Sequence, residues 1–241
     1  MIQLNVTQTG KYLIGVIFAV FLVQQFSDQY FGIPFTATFG MIPASILHYK
    51  IWQFFTYSFL HASIGHLIFN LVGIVFFAGD IEVLWGRRRF LQYYCVCVLG
   101  GSFSYFICAA LIGGQYPLIP LVGASGAVMG ILVAYGILYS ERDILLFGVF
   151  PLKAKHLVLG FVGYELLSTL FSGPSRAFSG VAHLGGMTFG FLYLWCAAYF
   201  KRSAKATASR IKKSKPKLTS KHLRLVPGPD ADDDDDPKTW H

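Results

Sequence analysis

The chain has 241 residues, of which 54% are hydrophobic and only 13% are charged, and its mean hydropathy is +0.54. A soluble domain of this size needs a charged surface, so the long uncharged stretches argue against one and favour lipid as the surrounding solvent. The formal net charge is +8, but the cations lie in short segments between apolar stretches and in the C-terminal tail. That distribution is typical of membrane-topology signals and argues against a nucleic-acid-binding face.

The predicted elements begin with an apolar stretch at about residues 12–31. We interpret it as a retained first transmembrane helix, because no convincing signal-peptide cleavage site follows it. The next segment, at about residues 32–63, mixes prolines, aromatics and polar residues and indicates short structures at the membrane interface. Five further spans are predicted, at about residues 65–84, 90–112, 122–140, 156–171 and 180–200. The predicted fold class is therefore all-α, a polytopic membrane protein with a bundle of six transmembrane helices.

The distribution of basic residues predicts the orientation of this bundle. Residues 1–200 are predicted to form one six-span domain, and residues 201–241 a polar cytoplasmic tail without ordered structure. Six spans place both termini on one side, and only Lys50 and Arg176 of the 20 Lys and Arg residues then fall on the other side. The positive-inside rule thus predicts cytoplasmic termini. Because no organelle presequence is recognisable, we expect a bacterial inner membrane.

Polar side chains occur at matching depths in three of the predicted spans. The second span carries His66 and Asn70 about one turn from its start, and the fourth and sixth spans carry Ser125 and His183 in their first turns. At the rise of an α-helix, all four lie within roughly 10 Å of the same non-cytoplasmic boundary. Polar groups within lipid are costly and favour a functional interpretation.

Ser125 and His183 fit the requirements of nucleophilic catalysis. A serine hydroxyl becomes a useful nucleophile when an adjacent base takes its proton. Ser125 also lies near a helix N-terminus, where free backbone N–H groups could stabilise an oxyanion. Two pairs of glycines with four-residue spacing would let the helices carrying these residues approach closely. The pairs are Gly126 with Gly130, and Gly186 with Gly190.

Each feature also has a plainer interpretation. A glycine-serine patch is often only a packing surface, a histidine in a membrane helix is as often structural as functional, and a histidine-asparagine pair can simply cross-link helices. Their joint occurrence at one depth favours the catalytic interpretation. No carboxylate is predicted beside His183, so the pair is expected to act as a dyad. For Glu165, a buried acid in the fifth span, a structural hydrogen-bonding role is preferred over an unknown functional one.

The same residues resemble the motifs of the rhomboid family of intramembrane serine proteases. The fourth span is similar to the G-x-S-G pattern of that family, at residues 123–126. The sixth is similar to A-H-x-x-G-x-x-x-G, at residues 182–190, and the second to H-x-x-x-x-H-x-x-x-N, at residues 61–70. Glu82 and Gly86 resemble the acidic residue and glycine at the end of the second span. The resemblance covers about residues 10–200.

The resemblance implies a six-span, rhomboid-like bundle and a serine endopeptidase that cleaves transmembrane segments of single-span or polytopic membrane proteins in the bilayer. It implies a catalytic dyad of Ser125 and His183, and neither a cofactor nor a metal, while nucleic acid is not expected as a partner. The residues implied to serve or support the oxyanion site are His66, Asn70, Gly123, His61 and the backbone amide of Ser125.

Two positions depart from the family pattern. Many members carry Trp-Arg in the first loop, where this chain has Trp52 and Gln53, and an aromatic residue often stands where this chain has Met129. A thioether can still pack against an imidazole ring. The first departure predicts a less stable loop and the second a less firmly oriented base.

Two rival functions remain open. A membrane zinc protease could use three histidines as ligands, although His-Glu-x-x-His is absent and no acidic residue falls near the predicted cluster. The second rival is a catalytically silent relative that binds or escorts membrane clients.

Overall fold

The computed structural model describes residues 5–146 and 149–214. It does not describe the side chains of residues 146, 174, 175 and 204–214. By its internal contacts the chain divides into two units, Met1–Ala198 and Tyr199–His241. Of the predicted tail, residues 201–214 are helical, since Lys, Arg and Ala are strong helix formers. The rest of that tail, residues 215–241, lies outside the described residues.

The N-terminal part consists of one long helix followed by short ones. Helix α1, Gln8–Tyr30, begins where the Thr7 side chain accepts a hydrogen bond from the Gly10 backbone N–H. The segment predicted to lie at the interface contains no span and is built from short pieces. These are α2 (Phe35–Phe39), α3 (Pro43–Leu47), α4 (Gln53–Thr56) and a 3-10 turn at Tyr57–Phe59.

The second long helix contains a change of helical geometry. Helix α5, Ile64–Gly73, is capped by Ser63, whose hydroxyl accepts from the His66 backbone N–H. A π-helical turn at Ile74–Ala78 joins it directly to α6, Gly79–Trp85. Gly86 then ends this helix in a positive-φ conformation (φ 79°) that favours glycine.

Four more helices and one β-hairpin complete the described chain. The helices are α7 (Arg87–Ile112), α8 (Ser125–Leu138), α9 (Ala154–Phe171) and α10 (Pro174–Ser214). Strands β1 (Asp143–Leu146) and β2 (Phe150–Lys153) pair antiparallel between α8 and α9, with Asp143 opposite Lys153. The all-α prediction missed this hairpin.

Helices occupy all six stretches predicted as spans, but they differ in length. Four segments within the described residues are long and apolar enough to cross a membrane: Gln8–Tyr30, Ile64–Trp85, Arg87–Ile112 and Arg176–Ser203. Helix α8 is a shorter apolar helix, and α9 has 18 residues. Large apolar side chains are exposed along the long helices, as on Phe103 and Leu111 of α7 and Leu170 of α9. Such an apolar exterior suits lipid contact.

Helix α8 lies at the centre of the bundle. Twelve consecutive residues of this helix, 125–136, are buried, and they pack against α5, α7 and α9. The core around it includes Tyr57, Leu67 and Tyr93, each at most 2% exposed. A helix buried on every side needs no lipid-facing stripe, so α8 is held in place by its neighbours.

Candidate active site

Ser125 is the first residue of the buried helix α8. The loop before it is fixed by backbone hydrogen bonds, because Met41 and Leu121 pair with each other and the Gly123 N–H donates to the Tyr57 carbonyl oxygen. The first hydrogen bond of the helix is donated by the Val128 N–H to the Ala124 carbonyl. The N–H groups of the first turn therefore have no intrahelical acceptor.

The structure brings the predicted serine and histidine together. The Oγ atom of Ser125 lies 2.7 Å from Nε2 of His183, although the two residues are 58 positions apart. Ser125 is 7% exposed, and the His183 side chain is 17% exposed. A hydroxyl within hydrogen-bond distance of an imidazole in a sheltered site is the arrangement that nucleophilic catalysis requires.

Glycines make this contact possible by letting α8 and α10 touch backbone to backbone. A Cβ added at Gly186 would lie 2.6 Å from the carbonyl carbon of Gly126. Both glycines were predicted to form a close interface, and they meet at this crossing. Gly130 and Gly190, the other members of the two predicted glycine pairs, also lie against α7. A Cβ at Gly130 would lie 2.9 Å from Cβ of Cys97, and one at Gly190 would crowd the Tyr93 hydroxyl.

Helix α7 contributes to this junction through residues that the sequence analysis did not single out. A Cβ at Gly101 would lie 2.9 Å from the carbonyl oxygen of Ala182, the residue before His183. The Tyr93 hydroxyl donates to the Gly130 carbonyl at 2.5 Å. Three helices therefore fix the position of His183 relative to Ser125.

The expectation that no carboxylate lies beside His183 is wrong. Atom Oε1 of Glu165 lies 2.8 Å from Nδ1 of His183, and the Glu165 side chain is 10% exposed. The sequence alone could not predict the contact, because it depends on how α9 is rotated about its own axis against α10. An acidic residue within an otherwise apolar helix was the available signal.

His66 lies beside the loop that precedes Ser125. A Cβ at Gly123 would lie 2.7 Å from Nε2 of His66, and Gly123 has a positive φ of 121°. Glycine is therefore required here both for backbone conformation and for space. The Gly123 N–H already donates to the Tyr57 carbonyl, so it is not free to donate to an oxyanion.

Asn70 is fully buried and lies one turn beyond His66 on α5. Its Nδ2 donates to the His66 carbonyl at 3.0 Å. An amide nitrogen carries two hydrogens, so one donor remains for another acceptor.

His61 lies buried beside His66. Its side chain has no exposed surface, its backbone N–H donates to Oε1 of Gln24, and its ring meets the His66 ring edge to face at a centroid distance of 5.1 Å. Burial, followed by the nearby His66, lowers the pKa of His61 to about 4. The ring is therefore uncharged at neutral pH, and it packs against the ring of His66.

An open cavity of about 210 Å³ lies next to the Ser125 loop. His66, Val122 and Phe178 contribute to its walls. Its walls are mainly apolar, with His66 and Ser179 among the polar members, and it lies beside the loop that leads into α8.

The two departures from the family pattern have structural consequences. Gln53 is fully buried; its side chain accepts from the Ile42 N–H and donates to the carbonyls of Ala37 and Thr38. An uncharged amide thus ties the first loop together in place of an arginine. Met129 lies in a small apolar cluster with Leu132, Val133 and Met187.

The described residues, 5–146 and 149–214, contain no group of three or more His, Cys, Asp or Glu side chains arranged to hold a metal ion. The predicted histidines are instead divided between two contacts, His61 with His66 and His183 with Ser125.

The helices and their apolar exterior define a multi-pass integral membrane protein whose serine–histidine pair is buried near one end of the bundle. A sequence model of the Rhomboid domain matches residues 48–200. The chain belongs to the rhomboid family.

Individual relatives agree with this assignment. "RHOMBOID-like protein 12, mitochondrial" of Arabidopsis thaliana is 30% identical over 172 residues, which are 67% of this chain and 49% of that protein. "Presenilin-associated rhomboid-like protein A, mitochondrial" of Danio rerio is 31% identical over 139 residues, 57% of this chain and 35% of that protein. "Rhomboid protease GlpG" of Pectobacterium atrosepticum is 25% identical over 193 residues, 79% of this chain and 63% of that protein. The chain thus spans about half or less of the two mitochondrial relatives.

Proposed function

We propose that this protein is an intramembrane serine endopeptidase that cleaves transmembrane segments of other membrane proteins. The observation that carries the proposal is the 2.7 Å contact between Ser125 Oγ and His183 Nε2 at the sheltered start of α8. Ser125 is the nucleophile and His183 is the general base. The name of the relative "Rhomboid protease GlpG" agrees with a proteolytic activity.

The proposed reaction proceeds through an acyl-enzyme. Ser125 Oγ attacks the peptide carbonyl while His183 Nε2 takes its proton, and His183 then returns that proton to the leaving amine. The Ser125 N–H, His66 and Asn70 stabilise the oxyanion, with Gly123 and His61 in support. Water then attacks the ester with His183 again as base, which releases the acid and restores the hydroxyl.

The proposed architecture is a six-span domain, residues 1–200, followed by a polar tail, residues 201–241. Both termini are cytoplasmic, because that orientation leaves only Lys50 and Arg176 on the opposite side. The active site then opens to the non-cytoplasmic side. We keep the bacterial inner membrane as the proposed location, although mitochondrial proteins are among the relatives.

Substrates are single-span or polytopic membrane proteins that are cut near the outer end of a helix. A helix in lipid protects its peptide bonds by its own hydrogen bonds. Segments that unwind easily at the scissile bond should therefore be cleaved faster.

The test compares Ser125→Ala and His183→Ala with the wild type in liposomes that contain a model single-span substrate. Cleavage is expected to fall at least about 10³-fold in each variant. Ser140→Ala and His156→Ala are matched controls, because the exposed His156 and the half-buried Ser140 lie outside the site. Cleavage at the wild-type rate by either active-site variant would reject the assigned pair.

A fluorophosphonate probe separates the rival functions. Labelling of Ser125 in the folded wild type supports the protease, whereas a folded protein that neither labels nor cleaves supports the silent client-binding relative. Activity that is lost with a chelator but survives the probe would instead support a metalloprotease.

A further inference from the structure

Glu165 is a buried acid in the middle of the apolar helix α9, which places a costly group where lipid and protein surround it. Its carboxylate oxygen Oε1 lies 2.8 Å from Nδ1 of His183, the ring nitrogen opposite to the one that faces Ser125. Arg176, the basic residue at the start of α10, donates its hydrogen bonds to Tyr164 and Ser168 and not to Glu165. The partner of Glu165 is thus the imidazole.

The backbone is built to allow this contact. Gly180 lies three residues before His183 on α10, and a Cβ there would lie 3.0 Å from Cβ of Thr169 and 3.2 Å from Oε1 of Glu165. Thr169 follows Glu165 by one turn on the same face of α9. The absence of a side chain at Gly180 therefore lets α9 approach closely enough for Glu165 to reach the ring.

When it is paired with an ionised Glu165, His183 carries its proton on Nδ1. An ionised carboxylate only accepts hydrogen bonds, so Nδ1 must be the donor to Glu165. The Nε2 lone pair is then free to accept the proton of Ser125, as a general base must. A neutral histidine without this partner could hold its proton on either nitrogen, and in one of those tautomers it cannot act as a base.

We propose that Glu165 is the positioning residue of His183, so that the site functions as a Ser125–His183–Glu165 triad. This proposal rests on the proposed protease function and extends the dyad inferred from the sequence. The carboxylate holds the reactive tautomer and stabilises the imidazolium that forms when Ser125 attacks. In this role Glu165 acts through His183 and does not touch the substrate.

The alternative is that Glu165 only ties α9 to α10. Glu165→Gln distinguishes the two roles, because glutamine has nearly the same size and can still hydrogen-bond to Nδ1. If Glu165 only ties the two helices together, glutamine should suffice. If Glu165 is a positioning residue, glutamine should fail, because its amide N–H can hold the wrong tautomer of His183 and it carries no charge to stabilise the imidazolium.

The experiment measures kcat and KM of the full-length protein in liposomes, together with the rate at which a fluorophosphonate labels Ser125. We expect Glu165→Gln to lower kcat and the labelling rate by roughly 10- to 10³-fold, with KM changed less than about twofold. Thr169→Val is the matched control, because it keeps the shape of a neighbour on the same face and removes a hydroxyl that has no hydrogen-bond partner in the described chain.

The outcomes separate this proposal from the protease function. A wild type that neither cleaves nor labels overturns both, whereas wild-type kcat and labelling in Glu165→Gln overturn the triad and leave the dyad intact. A loss that also appears in Thr169→Val, or that is matched by an equal loss of thermal stability, assigns Glu165 to packing and overturns the positioning role. Loss of kcat at an unchanged melting temperature supports it.

Discussion

Gly186 of α10 lies directly against the backbone of Gly126 of α8, so that a Cβ at residue 186 would lie 2.6 Å from the Gly126 carbonyl carbon. Gly126 directly follows Ser125, and Gly186 follows His183 by one turn on the same helix. The separation of the two helices is therefore set next to the residues whose contact matters for the proposed chemistry.

Gly186→Ala should separate these helices and lengthen the Ser125–His183 contact. We expect stability to fall by about 1–3 kcal/mol, the usual cost of overpacking, and cleavage to fall more than stability alone would explain. Gly160→Ala is the matched control, because nothing lies within 4 Å of a Cβ there. Unfolding in detergent and cleavage in liposomes are the measurements, and equal behaviour of the two variants would contradict the packing argument.

Because His61 is buried, we expect the stability of the folded protein to depend on pH. Burial lowers its pKa from 6.5 to about 4 in the folded protein. The unfolded chain therefore binds an extra proton between those two values, and stability should fall as the pH is lowered from about 6.5 towards 4 and then level off.

His61→Phe keeps an aromatic ring against His66 and removes this titration. The difference in unfolding free energy between wild type and variant should change by about 1–3 kcal/mol across that window. His48→Gln, at an exposed histidine, should leave the wild-type profile unchanged. Parallel profiles of wild type and His61→Phe would show that His61 does not titrate in this way.

Gln53 should be important for the first loop. Its side chain satisfies the Ile42 N–H and the carbonyls of Ala37 and Thr38. Gln53→Leu would remove these three hydrogen bonds, while the Thr38 carbonyl would keep the Trp52 indole N–H as a donor, so we expect a loss of about 1–3 kcal/mol. Gln29→Leu, at an exposed position on α1, is the control. Thermal unfolding of both variants is the measurement, and equal melting temperatures would contradict this role.

Asp80, on α6, is hydrogen-bonded to the segment before α1, to α8 and to the segment that follows α8. Its carboxylate accepts from Asn5 at 2.7 Å, from Tyr135 at 3.3 Å and from Arg142. The carboxylate is 6% exposed and the Arg142 side chain 39% exposed, so the pair is only partly screened by solvent. Asp80→Ala should cost about 2–3 kcal/mol, somewhat less than for a fully buried pair.

Glu141, an exposed acid, is the control for the Asp80 prediction. It pairs with Lys153 and Lys155 beside the hairpin, and surface pairs contribute little. Unfolding measurements should show no measurable change in Glu141→Ala. A larger effect there than in Asp80→Ala would be inconsistent with this ranking.

The sequence predicted the parts of the site that depend on position along a helix. Depth in a span follows from counting residues, so Ser125, His183, His66 and Asn70 were identified together. Small residues at four-residue spacing predicted that Gly126 and Gly186 would let two helices meet.

Features that depend on helix rotation or on a backbone partner could not be predicted. The direction of Glu165 is set by packing of α9 at Gly180, and the burial of His61 behind His66 is set by the loop fold. The use of the Gly123 N–H by Tyr57 depends on a residue 66 positions away. Local pattern contains none of this information.

The π-helical turn at Ile74–Ala78 lies between Asn70 at one end of the second long helix and Asp80 at the other. A wide turn of this kind takes up one residue more than an α-helical turn. If the same residues formed a regular α-helix, everything beyond the turn would be rotated by about 100°. Either Asn70 or Asp80 would then face the wrong neighbour, so the helical geometry of this stretch is under a constraint that side-chain identity does not express.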